Sequence, residues 1–410
     1  MLKYYGAVVA VVAGATLIQL ANSFYSVLLP LALAERGASG FLAGLVASAF
    51  GGGFFVGCFY TERLIRAVGH IRAFAALASI ASILGLLFSM TNLAAVWILL
   101  RLVTGFCYAG LSTAIEGWLA AATPSAVRGG VLAFYLVGNR VASILGQQLL
   151  GHVTAAMNTW FVLGGAAYAA AVVPVALNRT HAPPPPTGNR IRLLALARIA
   201  PAAVAGCIAT GLVNSALAGL LPVWGTRLGL STATIVTFLS LTHVGGMCLQ
   251  WPIGRLSDGI DRRLVLAGTA GALALVSTVV ILAEGGPHWL LGIAFLLWGG
   301  CAMSFYAVSV AHAGDLVQPE QMVGVASGCL LVWSAGSMLG PLLAAPLLDH
   351  VGPSGLFLFL AGISASLAVF VLWRRTQRSA GTPPLHAALA DGLTSPAGSS
   401  SLPGNQGERP

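Results

Sequence analysis

Long apolar stretches alternate with short polar gaps along the whole chain. Each stretch has about 20 residues rich in Ala, Gly and Leu, which is the length a helix needs to cross the hydrocarbon core of a bilayer. The stretches lack the alternation of apolar and polar side chains that is typical of barrel strands. The pattern predicts twelve transmembrane helices, at 6–30, 41–60, 73–91, 94–119, 131–153, 160–177, 199–222, 232–253, 264–283, 289–312, 322–347 and 355–373.

Two polar segments divide this pattern on a larger scale. Residues 178–192 read NRTHAPPPPTGNRIR, and a segment with four prolines and three arginines cannot span lipid. After Trp373 the chain continues with two arginines into a stretch rich in Pro, Gly and Ser, a composition typical of disorder. We therefore predict a first six-helix bundle over 1–177, a cytoplasmic linker over 178–198, a second six-helix bundle over 199–373 and a disordered cytoplasmic tail over 374–410.

The two predicted bundles repeat each other. Residues 22–30 read NSFYSVLLP and residues 214–222 read NSALAGLLP, so five of nine positions are identical at an offset of 192. The match continues at the same offset, with Gly37 and Ser39 corresponding to Gly229 and Ser231. Both halves begin on the same side, so the repeats are parallel and related by an axis along the membrane normal. Such folds place the substrate site between the halves near the midplane.

The basic residues predict the orientation. The formal net charge is +9, and the arginines lie in the short gaps between apolar stretches. With a cytoplasmic N-terminus, 16 of the 20 Lys and Arg residues lie inside, two lie outside (Arg36 and Arg227), and two lie within spans. Cytoplasmic loops carry such an excess. We predict a multi-pass protein of the bacterial inner membrane with both termini cytoplasmic, and no nucleic-acid partner, because the arginines form no single soluble surface.

The composition is 57% hydrophobic and only 8% charged, which makes the lipid bilayer the expected solvent. The six cysteines lie in apolar stretches without CxxC spacing, and the eight histidines are scattered singly. We predict no metal site, no cofactor and no enzyme activity, since no nucleotide-binding motif and no clustered nucleophile and base are present. The expected partner is a small-molecule substrate, bound by a monomer.

The strongest motif follows the eighth predicted helix. Residues 254–263 read GRLSDGIDRR and resemble the loop signature of the major facilitator superfamily. In this loop we expect Gly254 to allow close helix packing and Asp258 to cap a helix or pair with an arginine. Arg262 and Arg263 are expected to hold the cytoplasmic face. Contacts of this kind would latch the state that is closed on the inner side.

Three further segments carry the resemblance. In the first-half counterpart of the loop, Gly57 is followed by CFYTERLIRAVGHIR, with Glu62 one position after the place of the family's aspartate. Residues 101–105 read RLVTG, like the family's RxxxG element, and residues 336–341 read GSMLGP, like a GxxxGP bend often seen in antiporters. The resemblance covers nearly the whole chain and is to a sparsely characterised bacterial branch of transporters. It implies the twelve-helix major facilitator fold, an all-α membrane protein.

Charged side chains inside spans are candidates for substrate binding or ion coupling, because such groups are costly in a bilayer. Arg101 and Glu116 lie about 22 Å apart along the fourth helix at 1.5 Å per residue, too far to pair. Arg140 in the antiparallel fifth helix is nearer to Glu116 in depth, so we predict a Glu116–Arg140 pair. Opening such a pair would release or capture a proton. A fixed structural salt bridge, and a snorkelling role for Arg101, are the alternatives.

Neutral and titratable polar residues complete the candidate set. The resemblance implies that the first, fourth, seventh and tenth helices line a cavity, which gives as lining candidates Gln19, Asn22, Asn214, Tyr306 and His312. His243 in the eighth helix is added because histidine titrates near neutral pH. For the two asparagines, hydrogen bonding between helices is the alternative.

The predicted function is secondary active transport of a small solute by alternating access, with proton coupling through Glu116. Two arginines and one glutamate make the cavity net positive, which favours an anionic or zwitterionic metabolite. Proton-driven efflux of amphiphilic drugs or metabolites is the alternative within transport. A membrane sensor that does not transport is the alternative outside it.

Overall fold

The computed structural model describes residues 2–123, 125–153, 155–177, 193–318 and 321–377. In these ranges the chain is helical apart from short turns, and twelve helices are long and apolar enough to cross a membrane. The helices are α1 (Leu2–Glu35), α2 (Gly40–Val68), α3 (His70–Met90), α4 (Ala94–Ala122), α5 (Ser125–His152), α6 (Met157–Ala176), α7 (Leu193–Ile199), α8 (Pro201–Arg227), α9 (Thr232–Gly259), α10 (Arg262–Leu282), α11 (His288–Gly314), α12 (Met322–His350) and α13 (Ser354–Gln377).

Each predicted span coincides with one long helix, and several helices run past their predicted ends. The second span ended at residue 60 by hydropathy, whereas α2 continues to Val68, because helical hydrogen bonds remain satisfied as the chain leaves the hydrocarbon. The predicted linker falls partly at 178–192, outside the described residues, and its last part forms α7 instead. The predicted tail begins later than expected, since α13 continues to Gln377, and residues 378–410 lie outside the described ranges.

The sequence repeat produces the same turn in both halves. Gly37 and Gly229 both have φ of 70°, in the left-handed region that glycine adopts without a steric penalty. Two residues later, Ser39 and Ser231 cap α2 and α9 by accepting the backbone N–H of the residue three positions on, at 3.2 Å in each case. The repeated Gly-x-Ser spacing therefore ends one helix and begins the next.

The long helices form two bundles, which we call the first half (α1–α6) and the second half (α8–α13). In the first half α2 packs on α4, and α6 packs on α1 and α3. In the second half α12 packs on α8, α9 packs on α11, and α13 packs on α10. Buried rings fill both interiors: Tyr25 and Phe161 in one, Trp224 and Phe295 in the other. The halves meet where α1 contacts α8, α2 contacts α8 and α12, and α5 contacts α9.

Glycines in α2 set how closely its neighbours approach. A Cβ at Gly51 would meet the backbone of Ser337 and Met338 in α12, across the boundary between the halves. A Cβ at Gly53 would meet the carbonyl of Leu102 in α4, within the first half. The glycine run of α2 therefore permits close packing on two sides, one of which is the interface that moves if the halves move.

Candidate functional site

We call the end of the molecule that holds the start of α1 and the α9–α10 turn the inner face, following the charge asymmetry. Midway between the two faces, polar side chains from α1, α4, α5, α9 and α11 lie together. We call this set the central polar cluster, and it consists of Gln19, Tyr108, Arg140, Ser143, Gln147, Ser240, His243 and Met303. Most of these residues lie near the middle of their helices, at the depth where a transporter of this architecture binds its substrate, whereas Gln147 and Ser240 lie nearer to the outer face.

In the first half, Gln19 ties three helices together. The hydroxyl of Tyr108 in α4 donates to Gln19 Oε1 at 2.5 Å, and Gln19 Nε2 donates to Ser143 Oγ in α5 at 2.7 Å. Ser143 Oγ in turn donates to the carbonyl of Asn139 at 3.0 Å. Both ends of the Gln19 amide are used, so this residue positions α1, α4 and α5 around the cluster.

Arg140 reaches from the first half to the second. Its Nη1 lies 3.2 Å from His243 Nδ1 in α9 and 2.6 Å from Met303 Sδ in α11. A guanidinium only donates, so both contacts are to neutral acceptors, an imidazole nitrogen and a thioether. Among the described residues Arg140 forms no ion pair with a carboxylate. The cluster therefore holds a positive charge at the midplane without a resident counter-ion.

A polar seam between α5 and α9 continues this contact toward the outer face. Ser240 Oγ donates to Gln147 Oε1 at 3.1 Å and accepts from Gln148 Nε2 at 2.9 Å. Gln147 Nε2 lies 3.3 Å from His243 Nε2, so both ring nitrogens of His243 face polar groups of the first half. The seam joins the halves by side chains that exchange hydrogen bonds, without an ion pair among the described residues.

The predicted Glu116–Arg140 pair is wrong for this structure. Glu116 accepts a hydrogen bond from Tyr135, whereas Arg140 points to His243 and Met303. Tyr135 and Arg140 are five residues apart, about 7.5 Å along α5, and Tyr135 is the one at the depth of Glu116. Glu116 is nevertheless exposed, about 9 Å from the inner end of α4, although α4 crosses the membrane. Its charge acts on Tyr306 of α11, so Glu116 lies on the side of α4 that is turned toward the second half.

Arg101 lies inside the first half, and the ring of Phe50 separates it from Tyr108 of the cluster. Its side chain is 5% exposed and its guanidinium carbon sits 4.4 Å from the ring centre of Phe50. The hydroxyls of Tyr25 and Tyr168 are close enough to act on its charge, while its Nε and Nη1 have no hydrogen-bond partner among the described residues. The structure does not bring Arg101 together with Arg140, so the two arginines do not form one anion site here.

The remaining lining candidates fall in three places. The amide oxygens of Asn22 and Asn214 are buried without a hydrogen-bond partner among the described residues, so the alternative of hydrogen bonding between helices through these oxygens is not realised. Tyr306 packs beside a small apolar cluster near the inner face that includes Cys207. His312 lies farther in, among the charges of the α9–α10 turn. The residues predicted to line one cavity therefore lie at different depths in the membrane.

The loop at 254–263 forms a charged cluster within the second half. Arg262 pairs with Asp258 at 2.9 Å and with Asp315, the residue that follows α11, at 2.5 Å. Asp258 thus pairs with an arginine, as predicted. Its contacts and those of Arg262 stay in the second half, so in this conformation they do not latch the halves together.

Asp261 takes the family's glycine position and caps α10. It accepts from the backbone N–H of Arg263 at 3.0 Å and pairs with the Arg263 side chain, also at 3.0 Å. Partial burial acts to raise the pKa of Asp261, but hydrogen bonds from Arg263 and the charges of Arg263 and Arg375 outweigh it and lower the pKa. The carboxylate is therefore held ionised at the inner face.

The two motif glycines behave differently. A Cβ at Gly57 would press on the Cβ of Ala109 in α4, so Gly57 does permit close packing. A Cβ at Gly254 would meet nothing within 4 Å, so the expectation of close packing there is wrong for this conformation. Glu62, near Gly57, lies 3.7 Å from Arg66 one helical turn on.

At the outer face, a carboxylate closes the boundary between the halves. Asp349 at the end of α12 accepts from the backbone N–H groups of Gly40 and Phe41, at 2.8 Å each, and so caps α2 of the other half. It also pairs with Arg227 of α8. Asp349 has no distinctive signal in the sequence, because a carboxylate at a helix end is common. Tyr108 was missed although it carries a signal, a hydroxyl in the middle of a predicted cavity helix.

The twelve-helix architecture and the midplane cluster define a transporter of the major facilitator class. The sequence profile of the Major Facilitator Superfamily matches residues 11–331 and 252–402, and the chain belongs to this family. It is a secondary transporter in a multi-pass bacterial membrane setting, with a small-molecule substrate, and not an enzyme.

Similar proteins lie in a sparsely characterised branch. The chain is 28% identical over 387 residues to the uncharacterized MFS-type transporter YcaD of Escherichia fergusonii, covering 93% of this chain and 99% of that one. It is 27% identical over 390 residues to YcaD of Escherichia coli O139:H28, covering 94% and 98%.

Solved structures share the fold at low identity. The nucleoside transporter NupG gives a TM-score of 0.72 at 13% identity, covering 91% of this chain and 98% of that one. The D-xylose–proton symporter gives 0.69 at 15% identity, covering 90% and 97%. A bacterial homologue of the human lysosomal transporter Spinster, solved inward-facing and unoccupied, gives 0.69 at 12%, covering 90% and 95%.

Proposed function

We propose that this protein is a proton-coupled transporter of the bacterial inner membrane that carries a small anionic or zwitterionic metabolite. The observation that carries the substrate class is Arg140, a midplane cation whose described contacts are a neutral imidazole and a thioether. A buried cation without a counter-ion favours an incoming anion. In this proposal both termini lie in the cytoplasm, as the charge asymmetry favours, and the protein acts as a monomer.

The geometry supports alternating access at this site. The halves touch from the outer face to the central polar cluster, while Glu116 on the inner side is exposed. A solute that leaves Arg140 toward the inner face passes the level of Glu116. Rocking the halves apart at the outer face would break the Asp349 contacts and present the same cluster to the other side.

Glu116 is the proposed carrier of the driving proton. It is a carboxylate within a membrane-crossing helix, its described partner is the hydroxyl of Tyr135, and it is open to the space between the halves. A group that alternates between such an environment and water binds and releases a proton in turn. The D-xylose–proton symporter, which shares the fold, is named as proton-coupled, and this supports coupling here.

Thermal unfolding of the purified protein tests the substrate class. Acidic, zwitterionic, cationic and sugar solutes are compared at two pH values. A ligand that binds only the folded state adds about 2.7 kcal/mol at a hundredfold excess over its Kd. We expect anions or zwitterions to stabilise the wild type and Arg36→Gln, the matched outer-face control, but not Arg140→Gln. Stabilisation by lipophilic cations alone would establish the efflux alternative.

Uptake into proteoliposomes tests the coupling. With a proton gradient imposed, we expect Glu116→Gln to lose gradient-driven accumulation while it keeps exchange of labelled solute, because exchange needs no net proton movement. Full accumulation by Glu116→Gln with unchanged pH dependence would remove Glu116 from the coupling role.

A further inference from the structure

The contacts of His243 determine its protonation state. Arg140 approaches Nδ1 at 3.2 Å and has no acceptor, so Nδ1 must present a lone pair. A neutral imidazole with an accepting Nδ1 carries its proton on Nε2, which faces the Gln147 amide at 3.3 Å. The amide oxygen of Gln147 accepts this proton after a half-turn of the amide, whose oxygen and nitrogen are assigned from the hydrogen-bond network. The Gln147 nitrogen then faces Ser240 Oγ and donates to it, in place of the bond from Ser240 to the Gln147 oxygen. In this conformation His243 is therefore neutral.

A proton on Nδ1 is incompatible with the Arg140 contact. The imidazolium has two N–H donors and no acceptor, so it offers nothing to a guanidinium. It also places two positive charges side by side at the membrane midplane, where the repulsion between like charges is strong because the local dielectric is low. Protonation of His243 and its contact with Arg140 exclude each other.

The helices packed around His243 supply no further charge at this depth. From α5 come Arg140 and Gln147, and from α11 comes the thioether of Met303. The charged residues of α8 and α10 lie at helix ends: Arg227 in α8, Arg262 and Arg263 in α10. Within the described residues, the charged group that acts on His243 is Arg140, and no carboxylate balances a second positive charge.

We propose that a carboxylate substrate replaces His243 as the partner of Arg140, and that His243 takes up one proton for each anion that binds. This inference rests on the proposed function and adds a second proton site to it, at the binding step. A proton from water adds to Nδ1, the ring becomes an imidazolium, and the carboxylate takes the guanidinium. The site holds one net positive charge before and after, whereas either partner alone would change the buried charge.

The exchange makes His243 a determinant of both specificity and stoichiometry. A neutral sugar or nucleoside cannot compensate an imidazolium, so it leaves the Arg140–His243 contact in place and takes up no proton. A small carboxylate replaces that contact by a charge-assisted hydrogen bond to Arg140, which is stronger than one to a neutral acceptor. The imidazolium is then free to donate to the second oxygen of the carboxylate.

Calorimetry on the purified full chain measures the proton directly. Binding of lactate, benzoate, succinate and glutamate is titrated at pH 6 to 8 in two buffers of different ionisation enthalpy, which gives the number of protons taken up per carboxylate. For wild type we expect uptake of about one proton between the pKa of His243 in the empty site and its higher pKa in the anion-bound site. The affinity should fall about tenfold per pH unit in that range, as linkage requires for one coupled proton.

Two histidine variants and one control separate the roles. His243→Asn and His243→Gln each keep a polar acceptor and cannot titrate, so we expect no proton uptake and less than a twofold change in affinity over the same pH range. Two variants are used so that a folding defect in one does not decide the result. Glu116→Gln should keep the uptake on binding, because its proton moves at a different step.

The outcomes distinguish the two proposals. Uptake that persists in both histidine variants and disappears in Glu116→Gln overturns the exchange on Arg140 while it leaves the proposed function standing. Binding of the carboxylates by wild type with no proton uptake also overturns the exchange alone. A wild type that binds none of these carboxylates overturns the anionic substrate class and the exchange together.

Discussion

The outer and inner faces hold the two halves in different ways. At the outer face α2 lies directly against α12, and Asp349 of one half caps the first turn of α2 in the other. At the inner face Asp258 and Arg262 pair only within the second half. The outer contacts are thus between halves and the inner ones within a half. A charged loop that resembles a latch is engaged with its own half when the opposite face is closed.

The largest expected effect comes from Gly51, where the halves meet backbone to backbone. A methyl group there would collide with Ser337 and Met338, whose backbone cannot move without shifting α12. Overpacking of this kind costs about 1–3 kcal/mol. Gly51→Ala should therefore shift the equilibrium by roughly 5- to 150-fold toward the state that is open at the outer face.

Labelling measures that shift. A cysteine at position 47, where Ala47 contacts Gly219 of the other half, is reacted with an impermeant maleimide in a background without native cysteines. Gly254→Ala is the matched control, because a methyl there meets open space. Equal labelling rates in the Gly51 and Gly254 variants would show that the outer contact is not the closed gate.

Asp349 gives a smaller effect at the same boundary. Asp349→Asn keeps one oxygen for the N–H groups of Gly40 and Phe41 but loses the charge that favours a helix N-terminus and the pairing with Arg227. Because the pair is partly exposed, we expect a loss of about 1 kcal/mol, or roughly fivefold faster labelling at position 47. Asp258→Asn, which removes the same charge within one half, should leave labelling unchanged. A faster labelling rate in Asp258→Asn would show that the 254–263 loop at the inner face contributes to closure of the outer face.

The repeat was the part of the fold that sequence could specify in detail. Gly37 and Ser39 recur as Gly229 and Ser231, and the structure gives both pairs the same φ and the same cap, because positive φ and a helix cap are local requirements. Helix existence followed equally from local length and hydropathy. The helix α7 did not, because seven residues are too few for a hydropathy window to detect.

The site was harder to predict because it depends on how helices are rotated and paired. Depth along α4 and α5 suggested Glu116 and Arg140 as partners, yet Tyr135 takes the place opposite Glu116. The sequence of α5 does not predict that the Arg140 side chain points toward α9. Arg140 and His243 are 103 positions apart in the sequence, and their contact requires α5 of one half to pack against α9 of the other. A single sequence carries no direct signal for such a pair.

The smallest expected effect comes from Asp261. It tests whether the charged cluster at the inner face stabilises the second half alone or the contact between the two halves. Because the pKa of Asp261 is lowered, its contribution to stability is fully present above pH about 4. The contribution is lost as the pH falls through the lowered pKa, since protonation removes the charge that pairs with Arg263. Asp261→Asn should lower the free energy of unfolding at pH 7 by less than about 1 kcal/mol, because the asparagine oxygen still accepts the backbone N–H of Arg263 and the net contribution of a single ion pair is small. The difference between variant and wild type should shrink as the pH is lowered from 5 toward 3 in denaturant titrations. The labelling rate at position 47 falls with pH in every protein, because maleimide reacts with the thiolate. The ratio of the Asp261→Asn rate to the wild-type rate should therefore stay the same at each pH. A labelling change that follows the Asp261 titration would show that the inner cluster already acts on the distance between the halves, and the contrast between the two faces would then fail.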